Sequence, residues 1–166
     1  MKEYRSVQFI NCCICIVLSI LYFVDLPLNG WTYHFSHANV FHLCANMIAI
    51  SAIFKSVDYR LLIIAYLTTT VMWYMQGADI VGFSAIIFFM WGTRVINDFK
   101  LLLGYTNSLN KHVKQYGLGI LATFILSAVI PSLTFSLHFF PFITGVLVSL
   151  LIILFRNFKK DISVCR

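Results

Sequence analysis

The sequence predicts an all-α polytopic membrane protein, one domain over residues 1–166 built as a bundle of six transmembrane helices with cytoplasmic termini. Three observations lead there. Hydrophobic residues make up 60% of the chain and charged residues only 11%, against roughly a quarter charged in a soluble domain. The apolar residues fall in runs close to the length of about 20 residues that crosses a bilayer core. All twelve basic residues lie on alternate connections between those runs, the asymmetry that orients membrane proteins.

The elements follow in order. Lys2, Glu3 and Arg5 form a polar start, and a first span covers Val7–Val24, closed by Asp25 and the turn-forming Pro27-Leu28-Asn29-Gly30. No small-residue cleavage site stands out near it, so it is expected to be retained rather than removed as a signal peptide. Span two is Val40–Phe54 and span three Leu61–Met75, separated by Lys55, Asp58 and Arg60. Span four runs over Gly82–Asn97, after the Gln76-Gly77-Ala78-Asp79 connection. Span five is Gln115–Ile130, stopped by Pro131, and span six is Phe135–Phe155, ending in Arg156, Lys159 and Lys160.

Charge and cysteine content narrow the class. The net charge of +6 is scattered over helix ends rather than gathered on one face, so a nucleic-acid partner is not expected. Cys12, Cys13 and Cys15 share one apolar run, and a fourth and fifth cysteine are Cys44 and Cys165. An odd set so placed reads as packing residues rather than disulfide partners. The connections 25–39, 76–81 and 131–136 carry no Lys or Arg and are therefore assigned to the outer face.

Under that topology the unusual polar residues share the outer end. Ser84 opens span four directly after Gly82-Phe83, where a helix start leaves backbone N–H groups without intrahelical partners. Such groups can stabilise an oxyanion. Counted at about 1.5 Å per residue, Ser84 lies about 15 Å above Arg94. The segment before it must therefore descend into the membrane, which requires a surround of protein or a water-filled cavity. His42 and Asn46 sit four apart on span two and project from one helix face. His138 opens span six; by the same rise it comes out about 27 Å above Arg156, too high unless that helix tilts or projects inward. Serine needs a base to take its proton, and neutral histidine is the usual one. A Ser84–His138 dyad with His42 and Asn46 as oxyanion donors is the expected constellation. Asp25 and Asp79 read as solvated loop carboxylates.

Tyr33-His34-Phe35-Ser36-His37-Ala38-Asn39-Val40-Phe41-His42-Leu43-Cys44-Ala45-Asn46 resembles the second-helix signature of the rhomboid intramembrane serine proteases. Gly82-Phe83-Ser84 is similar to their nucleophile motif, with Gly92 eight residues on. His138 with Gly145 resembles their sixth-helix base and packing glycine. The resemblance covers about residues 31–149 in the family's order. It implies Ser84 as nucleophile, His138 as general base, and His42 and Asn46 as oxyanion donors. Gly82, Gly92, Gly145 and His37 would support the site. It implies a serine endopeptidase of the cell (inner) membrane that cleaves single-span membrane proteins near the external face, without metal or cofactor. Ala85, Pro141 and the short first external connection depart from the family pattern. Two alternatives stay open: a catalytically silent rhomboid-like protein that binds membrane helices, and a b-type haem or metal protein using His42 and His138.

Overall fold

The computed structural model of the chain describes residues 2–53, 59–76, 82–104 and 135–164. Among them every regular element is helical: α1 (Lys2–Leu21), α2 (Val40–Ile53), α3 (Tyr59–Gln76), α4 (Ser84–Gly104) and α5 (Phe135–Val164). The expected fifth span, 115–130, lies outside the described residues, as do Pro131, Asp79 and Cys165.

Helix ends differ from the expected spans for local reasons. α1 takes in the polar start and stops at Leu21, where Phe23 N–H bonds the Ile20 carbonyl and Val24 N–H the Leu21 carbonyl. Those tighter i→i−3 bonds wind the last turn down. α2 begins at Val40 as expected, because Asn39 caps it: the Asn39 side-chain oxygen accepts the His42 N–H at 2.9 Å. α4 begins two residues after Gly82, whose φ of +120° is not helical. α4 and α5 both continue past their basic residues, since lysine and arginine are good helix formers. α5 runs through Pro141, which lacks the N–H that would bond the Leu137 carbonyl.

Judged one helix at a time, a single stretch among the described residues, His138–Phe158, is long and apolar enough to cross a membrane; six were expected. Gln8–Leu21, Val40–Ser51 and Ser84–Val95 are shorter apolar stretches. The reason lies in their composition. Arg60 and the run Thr68-Thr69-Thr70 dilute α3, and Arg94, Asp98 and Lys100 interrupt α4.

α4 is the centre. Residues 85–90 are buried on every side of the helix, as for a helix surrounded by others. It packs against α2, α3 and most extensively α5. The α4–α5 contact is backbone on backbone. A Cβ at Gly92 would run into the Phe142 carbonyl, and one at Gly145 into the Phe89 carbonyl. The connection 25–39 lies against α3: the Tyr66 hydroxyl donates to the Trp31 carbonyl (2.7 Å) and the Tyr33 hydroxyl to the Thr69 carbonyl (3.1 Å). Gly30 sits under the Tyr74 ring, 2.7 Å from its Cζ if a Cβ were added.

Because the obstacle at Gly145 is backbone, Gly145→Val must part the two helices. The expected cost is about 1–3 kcal/mol, read as a lower thermal midpoint of the detergent-solubilised protein. An unchanged midpoint would show that the helices are not in this contact.

Candidate active site

The α4–α5 packing carries Ser84 and His138, fifty-four residues apart in sequence, into contact. His138 Nε2 and Ser84 Oγ are 3.0 Å apart. With its proton on Nδ1, the neutral imidazole accepts the serine hydroxyl hydrogen at Nε2. His138 itself is buried, and its ring lies on Phe88, centroids 4.4 Å apart at 31°. Phe88 is four residues after Ser84 and shares its helix face. It was not singled out from the sequence, where it is one phenylalanine among sixteen. An aromatic one turn below the serine was the available signal.

Ser84 is the first residue of α4, and the first i→i−4 bond there runs from the Ile87 N–H to the Phe83 carbonyl (3.2 Å). The N–H groups of Ser84, Ala85 and Ile86 thus stand outside the helical ladder. Gly82 holds this start in place: its N–H donates to the Tyr33 carbonyl at 2.8 Å. A Cβ on Gly82 would meet His42 Cε1 at 2.6 Å and Nε2 at 2.9 Å, with Asn46 Nδ2 at 3.5 Å. Positive φ and close approach together make this a glycine position.

His42 and Asn46 therefore face the backbone two residues before the serine, as their spacing predicts. Asn46 is buried, and its amide nitrogen has no hydrogen-bond partner among the described residues. A donor held dry without an acceptor costs about 1–3 kcal/mol. His37 packs edge-on against His42, centroids 5.3 Å apart, with Nδ1 3.2 Å from the Phe35 carbonyl. Its Nε2 is buried without a partner among the described residues. His34, quoted within the signature but given no role there, is fully buried, with Nε2 3.2 Å from the Thr70 hydroxyl. Its ring lies tilted against Tyr33, centroids 3.8 Å apart at 38°. Gly92 and Gly145 sit two turns from the dyad.

Among the described residues no three His, Cys, Asp or Glu side chains converge in a way that could hold a metal ion. Chemically the arrangement is a hydroxyl with a base on one side and unpaired donors near its backbone, suited to nucleophilic attack on a carbonyl. No protein-family model, no curated protein and no solved structure matches the chain.

Burial holds the two loop imidazoles neutral. His34 is pushed down to about 3, and His37 to about 4, with nearby His42 adding to the effect and the Phe35 carbonyl opposing it. Both lie below the unfolded value of about 6.5, so the unfolded chain binds more protons. Stability is then complete above about pH 6.5 and falls as the pH drops toward the folded values. Lowering the pH to about 5 should cost on the order of 1–2 kcal/mol through His34. Thermal midpoints across that range should fall less in His34→Gln than in the wild type; parallel curves would refute the assignment.

Proposed function

We propose that this chain is a rhomboid-type intramembrane serine endopeptidase that cleaves transmembrane segments of single-span proteins near the external face of the cell membrane. The observation that carries the reading is the 3.0 Å approach of His138 Nε2 to Ser84 Oγ. The chain would cross the bilayer six times with both termini cytoplasmic. Two features support this. Basic residues occupy alternate connections only. Large apolar side chains also face outward on α3 (Ile63, Leu67, Val71, Met75) and α5 (Phe140, Leu147, Leu151, Leu154, Phe158). An apolar surface of that extent suits lipid rather than water. The shorter apolar helices suffice where the connection before Ser84 dips below the surface inside protein.

The reaction follows from the donor set. His138 Nε2 takes the Ser84 proton as Oγ attacks the scissile carbonyl carbon. The carbonyl oxygen becomes an oxyanion, met by the Ser84 N–H, the Asn46 amide and the His42 N–H. The C–N bond breaks as His138 returns its proton to the departing amine. Water, deprotonated by the same imidazole, then releases the acyl group from Ser84. Substrate helices must unwind first, because helical carbonyls are already bonded; Gly or Pro near the cut favours that. Ala85, buried beside the serine, makes the oxyanion side tighter than glycine would.

A fluorophosphonate should label the solubilised protein at Ser84 alone. Ser84→Ala and His138→Ala should both abolish labelling and cleavage of a model transmembrane substrate, since an unassisted serine is unreactive near neutral pH. Cleavage by Ser84→Ala would sink the assignment. A folded wild type that neither labels nor cleaves would favour a silent helix-binding protein.

Asn46→Ala and His42→Ala should each slow turnover by roughly 10²–10³ and leave residual activity. Wild-type rates in both variants would remove these residues from the oxyanion site.

A further inference from the structure

α1 is grooved on two opposite faces. A cavity of about 650 Å³ lies between α1 and α2, walled by Gln8, Asn11, Cys12 and Cys15 of α1 and by α2 from Met47 to Ser51. Those α1 residues stand three or four apart and share one face. A second cavity, of about 320 Å³, lies behind Ile10, Cys13, Ile14 and Val17, and its exposed lining is apolar throughout. Amide side chains from α1 therefore mark only the groove toward α2. The Ser51 hydroxyl in that groove is already given to the Met47 carbonyl at 2.9 Å. Among the described residues neither Gln8 nor Asn11 has a side-chain hydrogen-bond partner.

The groove is polar at one end and apolar at the other. The Ser19 hydroxyl lies 3.7 Å from the Met47 sulfur, which sets those two residues level. Counted along antiparallel helices from that contact, Cys15 is level with Ser51. Gln8 and Asn11 lie beyond the last turn of α2, which ends at Ile53. From Gln8 to the level of Met47 the groove is about 16.5 Å long at about 1.5 Å per residue. Half of a hydrocarbon core of about 30 Å is about 15 Å, so the groove has the height of one leaflet. In the six-span topology its amide end is cytoplasmic. The stretches 2–5 and 55–60 that flank this end hold Lys2, Arg5, Lys55 and Arg60 against Glu3 and Asp58, a net charge of +2. The cytoplasmic leaflet is the one that carries anionic lipid.

We propose that the groove between α1 and α2 holds one acyl chain of an anionic phospholipid of the cytoplasmic leaflet, with the Gln8 and Asn11 amides donating to its glycerol-ester oxygens. The acyl chain lies along Cys12, Cys15, Ile48 and Met47, thiols and thioether acting there as apolar surface. The phosphate stands at the level of the flanking basic stretches. Phospholipid fits where a soluble ligand does not, because apolar side chains flank the groove on the outside of both helices (Phe9 and Ile16 on α1, Ile48 on α2). The site rests on the six-span reading and is independent of the proposed protease chemistry.

Native mass spectrometry of the full chain in a neutral detergent tests this by counting lipid retained from dioleoyl phosphatidylglycerol or dioleoyl phosphatidylcholine. One phosphatidylglycerol should be held, roughly tenfold tighter than phosphatidylcholine. Arg5→Gln with Lys55→Gln should remove that preference, whereas Gln8→Leu with Asn11→Leu should weaken both lipids and keep it. Cys12→Trp and Ile48→Trp, at exposed positions in the groove, should each displace the lipid. Val17→Trp, which fills the second cavity, should leave it bound. Retention unchanged in both groove variants overturns the site, and equal retention of the two lipids overturns the anionic assignment. Orientation is read separately from Lys2→Cys, which an impermeant thiol reagent should reach only in permeabilised cells. Its labelling in intact cells overturns the topology and the leaflet; correct orientation without bound lipid overturns the site alone.

Discussion

The contact between Ser84 and His138 depends on two glycines allowing two helices to touch. Gly92 of α4 meets the backbone at Phe142 and Val146, and Gly145 of α5 meets it at Phe89 and Thr93. Ser84 meets His138 at the same sequence offset as Gly92 meets Val146, so the helices run parallel and in step. Ser84 is eight residues from Gly92 and His138 seven from Gly145. At about 1.5 Å per residue those distances are about 12 and 10.5 Å, a match within one residue. The hydrogen bond between serine and histidine is thus set by packing two turns away.

The other half of the site hangs on a different connection. Tyr33 and His34 are tied to Thr69 and Thr70 of α3, and Tyr33 offers its carbonyl to the Gly82 N–H. Asn39 starts α2 at the register that turns His42 and Asn46 toward Gly82. Gly82 is where these constraints meet, and its missing side chain is what leaves room for the imidazole. Tyr33, His34 and His37 are held by backbone carbonyls and a threonine hydroxyl. No carboxylate among the described residues takes part in these contacts.

The sequence was most legible where chemistry forces spacing. Ser84 after Gly82, His42 four before Asn46, and Gly145 seven after His138 all correspond to contacts in the fold. α5 continues past Arg156 to Val164, so the basic residue from which the level of His138 was counted does not mark the helix end. Helix limits were least legible, because Arg94 and Arg156 are as much at home inside a helix as beyond it. At Pro141, a departure from the family pattern, α5 stays helical, and its backbone meets α4 at Phe142 and at Gly145, one turn beyond the proline. Phe88 was not singled out and His34 was given no role, because an aromatic or a loop histidine carries no periodic signal. Their roles come from neighbours that only the fold supplies. The proposed six crossings rest on the alternation of charge, since helix-by-helix hydropathy marks one among the described residues.

α5 is a rod about 45 Å long at about 1.5 Å per residue, half again the thickness of a hydrocarbon core of about 30 Å. Membranes of different thickness tilt such rods by different amounts. Pivoting at Phe158, a tilt of about 5° would swing His138 sideways by about 2.6 Å over a lever arm of about 30 Å. Pivoting at Gly145, the arm is about 10.5 Å and the swing about 0.9 Å. Under the proposed six-span reading, pivoting at the glycine contact would leave the imidazole the less displaced by a change in bilayer thickness.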